Sequence, residues 1–105
     1  MVPTIEQIRA QCRIDDDDAS SDELLTLMAG AARRKAENFI NRSLYDDAVP
    51  EDEAGGVVIT DDITLAILLA VGFWYVNREV ASSVQQLPIP FGFKELLEPY
   101  RIIPL

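Results

Sequence analysis

The chain has 105 residues and carries nine Lys and Arg against eighteen Asp and Glu, a formal charge of −9 with a sequence pI near 4.2. It contains no histidine and a single cysteine, Cys12. Histidine-based acid/base catalysis, a Ser-His-Asp triad, a His-ligated metal, an internal disulfide and a multi-cysteine metal site are thereby excluded, and so acidic a domain is a poor vehicle for gripping nucleic-acid phosphates.

At 49% hydrophobic and 26% charged, the composition is that of one folded domain over residues 1–105. The opening Met1-Val2-Pro3-Thr4-Ile5-Glu6 has neither the basic start nor the apolar core of a signal peptide. A first helix opens at Thr4, where Thr4 and Gln7 form a capping box. Ile5, Ile8 and Cys12 follow at helical spacing and the pattern stops at Arg13-Ile14. Cys12 reads as a small buried hydrophobe, and an unpaired thiol fits a reducing compartment.

Asp15-Asp16-Asp17-Asp18 invites a calcium reading, but an EF-hand loop from Asp15 or Asp16 would meet Ser20 or Ser21 where Gly is required and Thr26 or Leu27 where Glu is required. The run is expected to be a solvated turn that puts negative charge ahead of the second helix. That helix begins after Ser20, with Glu23 completing a second capping box, and runs to about residue 41. Leu24, Leu25, Leu27, Met28, Ala31, Ala32, Ala36 and Phe39 fall on one side of it, and Thr26, Arg33, Arg34 and Glu37 on the other. Lys35 stands in the middle of the apolar stripe, either snorkelling along the core or pairing with a carboxylate from another helix or subunit. Arg33, Arg34 and Lys35 form the one basic cluster, extended by Arg42. Consecutive residues spread around a helix, so a solvated face with local ion pairs is the simple account. The functional one pairs them with the acidic stretches 15–18 and 46–53 of an adjacent copy, thirteen of the eighteen acids lying within 15–23 and 46–62.

Residues 42–60 read as a long loop, with Asp46, Asp47, Pro50, Glu51, Asp52, Glu53 and Gly55-Gly56 opposing regular structure. Val57-Val58-Ile59 could add a short β segment. A third helix over 61–82 takes its cap and first-turn charge from Thr60, Asp61 and Asp62. It is apolar on every side from 63 to 76, with Ile63, Ile67 and Trp74 on one face and Leu65, Leu69 and Val76 on the opposite one. That stretch would be about 21 Å long, short of the roughly 30 Å of a bilayer core, so a soluble protein is expected. A helix hydrophobic all round must be buried all round, and so small a chain can hardly enclose it. Self-association is the consequence. Arg78 and Glu79 diverge at the helix end, each free to meet a partner or water. The prolines of 85–90 enforce an extended spacer. A short helix over 91–98 is closed by Pro99, and Ile102, Ile103 and Leu105 make a tail too apolar to fray. The fold expected is all-α: a small bundle of about four helices, two long and two short, with one long acidic loop and a helical core ending near residue 83. With no phosphate loop, nucleophile motif or distinguished carboxylate pair, neither an enzyme nor a cofactor is expected.

The succession of Arg13-Ile14-Asp15-Asp16-Asp17-Asp18, Glu23-Leu24-Leu25, Phe73-Trp74-Tyr75-Val76-Asn77-Arg78-Glu79 and Leu96-Leu97-Glu98-Pro99-Tyr100-Arg101 resembles the small head–tail connector proteins of tailed phages and prophages, also described as DNA-packaging or head-completion adaptors. The resemblance implies a helical subunit of a ring, typically twelvefold, at the virion neck, assembled in the bacterial host cytoplasm. The portal protein would lie above it and a tail-completion protein below, with DNA passing through unread and no membrane involved. Under that resemblance Leu69, Trp74, Arg78, Glu79, Arg33, Arg34 and Lys35 fall to the subunit interface. Tyr100, Arg101, Ile102, Ile103 and Leu105 fall to portal docking, and Asp46, Asp47, Glu51, Asp52 and Glu53 to the channel or rim. Two rivals stand beside it. A small-terminase-like DNA-recognition subunit needs a basic helix, and a metal-dependent enzyme needs the acidic run to bind calcium or magnesium.

Overall fold

Thr4 opens the first helix in the computed structural model, which describes residues 2–77 and 92–103. The expected capping box is present: the Thr4 hydroxyl accepts the Gln7 N–H at 3.2 Å, and the Gln7 amide oxygen accepts the Thr4 N–H at 2.9 Å. Helix α1 (Ile5–Gln11) buries Ile8. It ends because Arg13 turns into the left-handed region at φ 59 and Ile14 N–H reaches back to the Arg9 carbonyl at 2.9 Å.

Helix α2 (Asp22–Ile40) starts without the second capping box. The Ser20 hydroxyl and N–H both turn back to one Asp18 carboxylate oxygen, at 2.6 and 3.0 Å, a local side-chain bond that competes with capping. The apolar side of α2 also sits at a different phase from the stripe expected. Leu25, Ala29, Ala32, Ala36 and Ile40 are buried, Met28 and Phe39 half-buried, and Leu24, Leu27 and Ala31 exposed. Lys35 therefore stands on an exposed stripe and not within the core. Asn41 closes the helix in the left-handed conformation at φ 58, which asparagine tolerates.

The stretch after α2 is not structureless. Strand β1 (Leu44–Tyr45) pairs in parallel with β2 (Val57–Val58), Leu44 opposite Val57 and Tyr45 opposite Val58. Val57 and Ile59 N–H donate to the Ser43 and Tyr45 carbonyls at 3.0 and 2.9 Å. The β segment read at 57–59 is thus present; its partner at 44–45 is too short to show a period of its own. Gly56 is required where the loop closes, since a Cβ there would lie 2.7 Å from the Tyr45 ring and 2.8 Å from Val49 Cγ1.

Helix α3 (Asp61–Val76) is the central element, packed on by α1, α2 and helix α4 (Phe93–Leu97). Thr60 is its N-cap residue, yet the hydroxyl makes no bond to the helix. Ile63, Ala66, Ile67, Ala70 and Val71 are buried, and α2 and α3, which pack on each other, both contribute buried alanines to the core. Each fully buried Ile or Leu of the core contributes roughly 1.5–3 kcal/mol. The helix is not buried all round: Leu65 and Val76 remain exposed and Leu68, Leu69, Phe73, Trp74 and Tyr75 half-buried. Its expected continuation to residue 82, and the spacer at 85–90, lie outside the described residues. Gly92, at φ 113, begins α4 and donates its N–H to the Glu95 carboxylate at 2.6 Å. Pro99 sits in a 3-10 turn (Glu98–Tyr100) that continues from α4. No helix among the described residues is long and apolar enough to cross a membrane. The fold is the small, mostly helical bundle expected, with one two-stranded ladder added.

Candidate assembly surfaces

The end of α2 is a junction built around Arg42. Its guanidinium donates from Nε to the Gly55 carbonyl at 2.8 Å, from Nη2 to the Gly56 carbonyl at 3.1 Å and from Nη1 to the Tyr100 carbonyl at 3.3 Å. One planar group with five donors in fixed geometry thereby ties the acidic loop to the C-terminal tail. The tail is also fastened to α2, because Ile102 N–H donates to the Ile40 carbonyl and the Asn41 side-chain amide to the Ile102 carbonyl, both at 2.9 Å. Tyr100 reaches the start of α3: its hydroxyl lies 2.9 Å from the Thr60 hydroxyl and donates to Asp62 at 3.2 Å. The Thr60 hydroxyl therefore serves the tail and not the helix cap.

Charges in the loop divide into tethered and free. Arg33 pairs with Asp46 at 2.6 Å and donates to the Leu44 carbonyl at 2.8 Å, while Glu37 accepts the Leu44 N–H at 2.8 Å. Asp47, Glu51, Asp52 and Glu53 are exposed. Between loop and helix lies an open polar cavity of about 450 Å³, with Arg34, Arg42 and Glu53 on its walls.

At the other end of α2, Arg9 pairs with the Asp22 carboxylate through Nε at 2.9 Å and through Nη2, and donates to the Asp16 carbonyl at 2.9 Å. The hydrogen bond from Arg9 holds the Asp22 carboxyl below its ordinary range. Ser20, donating through its hydroxyl and its N–H, lowers that of Asp18. Burial raises the Cys12 thiol above its ordinary value, and the side chain is half-buried against the edge of the core, not enclosed in it. No cluster of three or more potential metal-ligating side chains occurs among the described residues. The acidic run is a turn tied down by Arg9 and Ser20.

The predicted interface residues separate. Arg33 turns into its own loop, Arg34 to the cavity wall, and Lys35 to the outer side of α2. Leu69 and Trp74 are half-buried, with Leu69 against Gly92 and Trp74 against the core. Arg78, Glu79 and Leu105 lie outside the described residues. Of the tail residues assigned to docking, Tyr100 is half-buried and internally bonded, and the exposed Arg101 lies 4.9 Å over the Phe39 ring. Ile102 and Ile103 are 46% and 63% exposed. Arg42, the residue that organises the junction, stands in the sequence only as an extension of the basic cluster. A lone arginine at the mouth of an acidic, glycine-bearing loop is the signal that could have marked it.

The family described as Phage gp6-like head-tail connector protein matches residues 3–101. No curated protein and no solved structure matches the chain.

Proposed function

The chain belongs to the phage gp6-like head–tail connector family, and from that premise we propose that it assembles into a ring between portal and tail through which DNA passes. A connector is a structural component of the virion neck, and its work is to present surfaces to neighbours. The observation that carries the ring is the apolar surface this small fold leaves uncovered on α2, α3 and the tail. The tail is the portal-facing element: hydrogen bonds hold its backbone in place while the side chains of Ile102 and Ile103 stay outside. The free acids of the loop, Asp47, Glu51, Asp52 and Glu53, face the channel or its rim. About twelve copies would carry a formal charge on the order of −100, and an acidic lumen repels duplex DNA and lets it slide. A DNA-recognition subunit would need a basic helix, and with Arg33 paired to Asp46 the α2 surface offers only Arg34 and Lys35 beside it.

Mass by light scattering with negative-stain imaging tests the ring, expected as closed particles; a lone soluble monomer at high concentration refutes it. Ile103→Asp should leave folding intact and weaken capture by portal particles. A reconstruction of the neck with the loop acids on the outer wall would remove the lumen assignment.

A further inference from the structure

Four of the six exposed large hydrophobics among the described residues lie on two helix faces. On α2 the stripe runs Leu24, Leu27, Ala31 and Lys35, with Leu24 and Leu27 36% and 70% exposed. On α3 it runs Asp61, Leu65 and Val76, with Leu65 and Val76 46% and 78% exposed and the half-buried Leu69 at its edge beside Gly92. At 3.6 residues per turn each stripe lies on the side of its helix turned away from the buried residues. The helices pack on each other through those buried sides, so the two stripes flank opposite sides of the molecule. A single chain cannot bring them together.

We propose that a second copy of this chain does: the outer stripe of α2 lies antiparallel along the outer stripe of α3 of the next subunit. The charges select this pairing. Lys35 ends the α2 stripe and Asp61 begins that of α3, both exposed and neither with an ion-pair or hydrogen-bond partner among the described residues. Antiparallel alignment sets Lys35 against Asp61, Ala31 beside Leu65 and Leu27 beside Leu69, with Val76 about one turn beyond Leu24. The alternatives are worse. Like-on-like contact of α2 would lay Lys35 on Leu24, and of α3 would lay Asp61 on Val76, each covering a charge with apolar surface. An interface between two different patches is heterologous, and repeating it closes a ring when the rotation allows. Closure into a ring rests on the connector reading above; the pairing itself rests on the two faces.

The test is a charge exchange followed across concentration. Lys35→Asp and Asp61→Lys each replace attraction by like-charge contact and should raise the half-assembly concentration about tenfold or more, with helical circular dichroism unchanged because both positions are exposed. The two changes in one chain should restore assembly. In a Cys12→Ala background, Ala31→Cys with Leu65→Cys should give an oxidative ladder of cross-linked species, whereas either cysteine alone should not. A multimeric wild type whose exchange does not restore assembly and whose double cysteine gives no ladder overturns the pairing and leaves the ring standing. A wild type monomeric at every concentration overturns the ring, and the pairing with it.

Discussion

Removing the Arg42 guanidinium should loosen two distant segments by the same amount. Arg42→Ala deletes three charge-assisted hydrogen bonds, at 2.8, 3.1 and 3.3 Å, to the Gly55, Gly56 and Tyr100 carbonyls. A hydrogen bond to a charged group contributes roughly 1.5–3 kcal/mol, but one of these is long and water can replace the donor at a half-buried site. The expected loss is therefore about 2–3 kcal/mol in all, a large part of the roughly 5–15 kcal/mol of a typical domain and a fall of roughly 10 °C in Tm. Hydrogen exchange gives the sharper measurement. The Val57 and Ile59 amides belong to the ladder and the Ile102 amide to the tail; all three should exchange about 30- to 150-fold faster. Arg42→Lys, which keeps the charge but not the fork, should recover less than half of the loss. Acceleration of the ladder without the tail, or a destabilisation below about 0.5 kcal/mol, refutes the clip.

Gly56→Ala should cost about 1–3 kcal/mol by driving a methyl group into Tyr45 and Val49, read by chemical denaturation with near-ultraviolet circular dichroism at Tyr45. Tyr100→Phe removes the hydroxyl shared by Thr60 and Asp62 and should lower stability by about 1 kcal/mol; no change would mean that water already serves those groups. Asp22 and Asp18 have carboxyls held below their ordinary range by Arg9 and Ser20. A depressed folded value means that their contribution is complete above the ordinary carboxylate range, about pH 4, and disappears as the pH falls through the folded values. Asp22→Asn with Asp18→Asn should flatten the acid limb of the stability profile, and an unchanged limb would assign it to other carboxylates.

Elements whose signals are local could be read in advance. Thr4 and Gln7 are three residues apart and nothing competes for them, so their capping box forms as read. Ser20 and Glu23 have the same spacing, but Asp18 lies within reach of the Ser20 hydroxyl and takes it. The opposed faces of α3, Ile63 and Ile67 against Leu65 and Val76, were legible because helical geometry alone separates them. The phase of α2 was not, since Leu24 and Leu27 flank Leu25 closely enough for either side to pass as the core. What decides is which side α3 occupies, a long-range fact. Arg33 shows the same limit at the candidate interface: its partner Asp46 is thirteen residues away across a turn, and no periodicity announces such a pair.

The uncovered stripes and the junction differ in what they can be asked to do. Ile63, Ile67, Val71, Leu25 and Phe93 close a core without any contribution from Leu24, Leu27, Leu65 or Val76, so charges placed on the stripes should alter association while leaving the fold. The junction behaves in the opposite way. Ile102 is held by the Ile40 carbonyl and the Asn41 amide, and Arg42 binds the residue two before it together with Gly55 and Gly56. The exposed side chains of Ile102 and Ile103 are thus carried on a backbone segment that is itself tied to the acidic loop. Cutting that tie by Arg42→Ala should therefore loosen tail and loop together, whereas a tail hung on a free linker would leave the loop as it is.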